Sequence, residues 1–122
     1  MKLVRIEQNF SICKIPNLDE VDYSGEFYFI GKTDDELSLV CYSSSVPKNV
    51  VECDSGWKVL KIEGILDFSL VGIISKITTI LAEKGIGVFV VSTFNTDYIL
   101  VKDYNIDRAI EALSAKGCEF KL

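Results

Sequence analysis

The sequence contains no histidine. That one absence removes histidine-based triads, histidine-containing metal sites and the commonest general base together. Its four cysteines, Cys13, Cys41, Cys53 and Cys118, form no C-x-x-C pair and sit in or beside apolar, strand-like runs. They read as small buried hydrophobes of a reducing compartment. Long apolar runs are missing too. Met1-Lys2-Leu3-Val4-Arg5 places a charge after every short apolar step, so neither a signal-peptide core nor a membrane span of about 20 residues is expected, and the chain is assigned to the cytoplasm. Basic residues are outnumbered, 13 against 18 acidic, for a net charge of −5. They are scattered singly, so a phosphate backbone would be repelled and nucleic acid is not an expected partner. No P-loop, no Gly-x-Gly-x-x-Gly, no Gly-x-Ser-x-Gly elbow and no metal-ligand spacing occurs. The adjacent acids Asp34, Asp35 and Glu36 read as solvated turn charges. No enzymatic activity, metal or cofactor is expected.

What remains is a globular composition, 48% hydrophobic and 25% charged over 122 residues. That is enough for one compact body, or for two very small units that share a core.

The second half carries the clearer pattern. Residues 57–63 (WKVLKIE) alternate like a half-buried strand and Gly64 ends them. From Leu70 to Lys84 the residues Ile73, Ile74, Ile77, Ile80 and Leu81 recur at helical spacing, with Asp67 or Ser69 available as the cap and Gly85 as the stop. Residues 86–94 and 98–101 read as the strands of a hairpin turned by Asn95-Thr96-Asp97. Asn105 caps a second helix whose apolar face is Ile106, Ala109, Ile110 and Leu113, Gly117 stops it, and residues 118–122 form a last short strand. The order β-α-β-β-α-β is that of the ferredoxin-like unit, an antiparallel sheet with both helices on one face.

The first half repeats this imperfectly. FYFIGKTDDELSLVCY, from Phe27, aligns without gaps on VFVVSTFNTDYILVKD, from Val88, an offset of 61, and SICKIPNLDE, from Ser11, aligns on VLKIEGILDF, from Val59, an offset of 48. The difference is close to the length of one helix. An α+β protein of two tandem ferredoxin-like units, residues 1–56 and 57–122, is therefore expected, the first with shortened helices.

Two segments could carry chemistry. The loop GILDFSLVG, residues 64–72, leads from a strand to a helix start, where unpaired N–H groups carry partial positive charge and suit a carboxylate. An ordinary capped helix, with Gly72 serving helix-on-sheet packing, explains the same residues. The hairpin tip Ser92-Thr93-Phe94-Asn95-Thr96-Asp97 gathers three hydroxyls, an amide and a carboxylate around an aromatic ring. Plain turn chemistry is its alternative.

At these residues the sequence resembles the ACT domain family. The stretch DFSLVGIISKITTILAEKGIGVFVVSTFNTDYILVK, residues 67–102, is similar to the ACT pattern of an acid, a loop, a glycine, an amphipathic helix and a strand entering a hairpin. More narrowly, it resembles a branch of small bacterial proteins with two tandem ACT units, related to eukaryotic arginine sensors. The resemblance implies a non-catalytic regulatory protein that binds a small molecule, an amino acid, at a seam between units. The ligand's backbone charges would be gripped by Asp67, Phe68, Ser69, Leu70, Val71 and Gly72, and its side chain by Thr93, Phe94, Asn95, Thr96 and Asp97. The α-carboxylate would meet the N–H groups of residues 69–72, and Asp67 or Asp97 the positive group, between walls formed by Phe68 and Phe94. ACT relatives commonly pair, so a homodimer is expected. The competing class is a ligand-free dimerisation or protein-interaction module.

Overall fold

The computed structural model describes residues 1–63 and 72–121. The chain divides into two compact units, residues 1–7 with 58–122 and residues 8–57. Two long strands, β1 (Lys2–Lys14) and β4 (Glu52–Ile62), each contribute one part to either unit.

The unit holding the C-terminal half is α+β. After β4 come α1 (Ile73–Glu83), β5 (Phe89–Ser92), β6 (Asp97–Lys102), α2 (Ile106–Ala115) and β7 (Glu119–Lys121). Sequence alone favours α1 weakly, because five of its eleven residues, IISKITTILAE, are isoleucine or threonine in the first seven positions, and β-branched chains lose rotamer freedom in a helix. Burial decides the matter. Ile77, Ile80 and Leu81 of α1 and Ile106, Ala109, Ala112 and Leu113 of α2 close over Leu60, Ile62, Ile99 and Val101 of the sheet. Each fully buried Leu or Ile contributes about 1.5–3 kcal/mol, well above the few tenths that propensity costs. Both helices end alike. Gly85 (φ +70°) and Gly117 (φ +94°) take the left-handed conformation, and Ile86 N–H and Cys118 N–H donate back to Leu81 O and Leu113 O at 3.0 and 3.1 Å, the Schellman closure.

The strands of this unit follow the order β7-β1-β4-β6-β5. The last three are those expected of a ferredoxin-like unit. The difference lies at β7, which pairs in parallel with Lys2, Leu3 and Val4 of β1, so the chain's first residues intervene between the first and last strands of the β-α-β-β-α-β motif. Leu3 is fully buried there. Charges at Lys2, Arg5 and Glu7 mask this strand in the sequence.

In the other unit the order is β2-β3-β1-β4, with β2 (Tyr28–Lys32) and β3 (Leu37–Tyr42) forming the hairpin. Its core is Cys13, Ile15, Val21, Leu39 and Cys41, flanked by Tyr28, Leu37, Val46 and Val50. Between Ile15 and Tyr28 the chain makes turns, not a helix, and Asn17 and Asp22 accept from the N–H groups of Asp19 and Ser24. Ser43–Ser45 forms a single 3-10 turn.

The two hairpins correspond, but one residue away from the sequence alignment. Leu37–Tyr42 and Asp97–Lys102 share one burial pattern, position for position, and Thr33 and Thr93 close the same turn, so the offset is 60 and not 61. A slip of one residue exchanges the faces of a strand. In strands this uniformly apolar, matching hydrophobic letters leaves the slip invisible.

Candidate functional site

The hairpin tip of the C-terminal half is a rigid turn. Thr93 N–H donates to Thr96 O at 2.8 Å, Thr93 Oγ1 donates to the same carbonyl at 3.0 Å, and Thr96 N–H donates to Thr93 Oγ1 at 3.3 Å. Thr96 is only 5% exposed, and its hydroxyl donates to Ile62 O at 2.8 Å. This bond pins the tip beside the end of β4, where the strand-to-helix loop departs. Asp97 opens β6 opposite Ser92 and is half-buried. Asn95 is exposed, and Phe94 is exposed over 83% of its surface. The equivalent tip in the first half is built on Thr33 and Glu36, and the Glu36 carboxylate is engaged by Ser38 Oγ at 2.7 Å.

Of the loop expected to grip a ligand, Asp67, Phe68, Ser69, Leu70 and Val71 lie outside the described residues. Gly72 lies inside them. It is the N-cap of α1, left-handed at φ +87°. Its carbonyl takes the first helical bond, from Lys76 N–H at 2.8 Å. An added Cβ would meet nothing within 4 Å, so backbone conformation, not helix-on-sheet packing, selects glycine here. A glycine cap also offers no side-chain acceptor to the first-turn N–H groups.

At α2, Asn105 occupies the N-cap but makes no side-chain capping bond. Its Oδ1 accepts from Arg108 Nη1 at 2.9 Å, while Arg108 Nη2 donates to Lys84 O at 2.6 Å. The capping role read from the sequence is thus replaced by a bridge between the end of α1 and the start of α2. Beside it, Ile80, Lys84, Arg108, Glu111 and Ala112 line a cleft of about 320 Å³. It lies toward the C-terminal end of α1, away from Gly72. No local signal in the sequence marks it, because residues of two separate helices build it jointly.

Among the described residues, three groups titrate unusually. Burial pushes the Cys13 thiol up to about 12 and raises Cys41 as well. The hydroxyl and N–H of Ser24 hold Asp22 below its ordinary value. Among the described residues, no three His, Cys, Asp or Glu side chains are placed to hold a metal ion, and no helix is long and apolar enough to cross a membrane.

A sheet with the β6–β4 pairing, two helices on one face and a hairpin tip pinned to the end of β4 defines an α+β unit of ferredoxin-like, ACT-type topology. The family model described as ACT domain matches residues 52–115, and a second model, described as an N-terminal domain, matches residues 8–49. The chain belongs to the ACT domain family. A crystal structure of a protein from Agrobacterium tumefaciens is 33% identical, with a TM-score of 0.88 over 99% of this chain and 92% of that one. More distant similarities share the fold. The regulatory subunit of aspartate kinase from Thermus thermophilus, in its ligand-free form, is 10% identical with a TM-score of 0.61 over 93% and 95% of the two chains. The aspartate kinase of Clostridium acetobutylicum, described as an allosteric enzyme, is 15% identical with a TM-score of 0.63 over 88% of this chain and 32% of that one. No curated protein matches the sequence significantly.

Proposed function

We propose that the protein is a non-catalytic regulatory module that binds an amino acid at the end of the C-terminal sheet, between the 64–72 segment and the 93–97 hairpin tip. The observation that carries this reading is the Thr96–Ile62 hydrogen bond, which fixes the polar tip next to the point where the 64–72 segment leaves β4. Membership of the ACT family supports it. In this reading the N–H groups following the Gly72 cap take the α-carboxylate, Asp67 or Asp97 meets the ammonium, and Phe68 and Phe94 flank the ligand. The chain is two tandem ACT units, residues 1–56 and 57–122, the first with its helices reduced to turns, and it works as a homodimer in the cytoplasm.

A thermal-shift screen against the proteinogenic amino acids tests the proposal. A ligand at about 100 times its Kd stabilises the native state by about 2.7 kcal/mol, which raises the Tm of a domain this size by roughly 10 °C. A specific observation favours a second reading, the ligand-free dimerisation module: the Thr93 hydroxyl is already engaged inside the turn and the Thr96 hydroxyl on Ile62 O. No shift with any amino acid, together with dimer mass by light scattering, would establish that reading instead.

A further inference from the structure

In the unit of residues 8–57, a chain of polar side chains runs across one sheet face. Ser43 Oγ and Ser55 Oγ lie 2.8 and 2.9 Å from Ser11 Oγ, and Ser55 Oγ lies 3.4 Å from Cys53 Sγ. Cys13 S–H donates to Cys53 Sγ at 3.7 Å. The contacts Ser11–Ser55 and Cys13–Cys53 step two residues up β1 and two residues down β4. The four side chains are therefore successive cross-strand pairs on one face of adjacent strands. Cys53 is exposed, whereas Cys13 is 2% exposed and Cys41 is buried in the same cluster. The two thiols thus differ in access while sharing one contact, the arrangement of an attacking and a resolving thiol.

We propose that Cys53 and Cys13 form a thiol-disulfide exchange site that accepts a low-molecular-weight disulfide and ends as a Cys13–Cys53 bridge across β1 and β4. The Cys53 thiolate attacks one sulfur of the small disulfide, and the other leaves as a thiolate that takes up a proton. A mixed disulfide now sits on Cys53. Cys13 loses its proton and attacks Cys53 Sγ, expelling the second small thiol. Two protein thiols and one small disulfide become one protein disulfide and two small thiols, so the small disulfide is the oxidant and no other is needed. Opposed residues of antiparallel strands have Cα atoms about 4.5–5.5 Å apart, inside the span of about 4.4–6.8 Å that a disulfide bridges. Closing the sulfurs from 3.7 Å to about 2.0 Å therefore asks for side-chain rotation more than strand movement. The Ser11–Ser55 pair holds the neighbouring rung of the ladder in place. Burial of Cys13 keeps its thiol protonated far above neutrality, so resolution is the slow step and quickens with pH.

The test is intact-mass spectrometry of the full chain, folded and non-reduced, incubated with oxidised glutathione. Wild type passes through a single glutathionyl adduct and ends as a species two hydrogens lighter, mapped to Cys13–Cys53. The second step accelerates about tenfold per pH unit between about pH 7 and 9, as the thiolate fraction grows. Cys53→Ala, at an exposed position, forms neither adduct nor bridge. Cys13→Ala, checked for native circular dichroism, retains its adduct, and Cys41→Ala bridges like wild type. A bridge mapped to any other pair, or a Cys53→Ala chain that is modified as fast as wild type, overturns the proposal. So does a wild-type adduct that never resolves at the higher pH.

Discussion

Thr96 and Ile62, 34 residues apart, are joined by a buried hydroxyl-to-carbonyl hydrogen bond of 2.8 Å. Valine at position 96 keeps the shape but leaves the Ile62 carbonyl without that donor, at a cost of about 1–2 kcal/mol. Thr96→Val is therefore expected to melt about 4–8 °C lower, and Thr96→Ser, which keeps the donor, to melt closer to wild type. Equal melting of Thr96→Val and wild type would show that the bond holds nothing. In the proposed function, Thr96→Val also weakens amino-acid binding.

Gly72 separates strain from crowding. With φ at +87° and open space where a Cβ would sit, Gly72→Ala pays only for the left-handed conformation, about 1–2 kcal/mol. Asparagine tolerates that region, so Gly72→Asn is expected to be milder. Urea midpoints rank wild type, Asn and Ala in that order. Alanine as stable as glycine would mean that the cap relaxes to another conformation.

Leu81 and Phe94 mark the extremes of burial. Leu81 is fully enclosed in the helix-side core, and Leu81→Ala is expected to cost about 3 kcal/mol through lost transfer energy and the cavity left behind. Phe94, 83% exposed, is expected to lose no more than about 0.5 kcal/mol on truncation to alanine. If it flanks a ligand, Phe94→Ala lowers affinity while stability holds. A change in stability as large as that of Leu81→Ala would place Phe94 in the fold and not at a site.

The C-terminal half was legible because its signals are local. Isoleucines at helical spacing, Gly85 and Gly117 at the helix ends and Asn95 in the turn each act within a few residues, and each marks an element of the structure. Long-range pairing was not legible. Nothing near Leu3 announces that its strand will lie between β7 and β4, and the offset of 60 between the hairpins shows only in which residues are buried together. Local chemistry can also mislead. Asn105 has the right residue type and place for a cap, yet Arg108 claims its side chain because the end of α1 lies alongside. Of the two candidate segments, the turn at the tip was readable from Asn95-Thr96-Asp97, whereas the tie from Thr96 to Ile62 depends on strand order.

The buried thiols give the fold an alkaline limit. Cys13 is raised from 9.0 to about 12, chiefly because burial disfavours the thiolate, and Cys41 is raised by the same cause. An unfolded chain releases the Cys13 proton near the ordinary value, while the folded chain keeps it until about 12. Between those values the folded state binds more protons than the unfolded state, so stability falls as pH rises. The thiol's contribution is full below about pH 9 and is lost progressively toward 12. The comparison that isolates the effect is with Cys13→Ala, which lacks the group. Urea midpoints under reducing conditions at about pH 7, 9 and 10.5 are expected to drop more steeply for wild type than for Cys13→Ala, whose curve starts lower and runs flatter. Parallel curves would mean that Cys13 ionises in the folded protein as readily as in the unfolded chain.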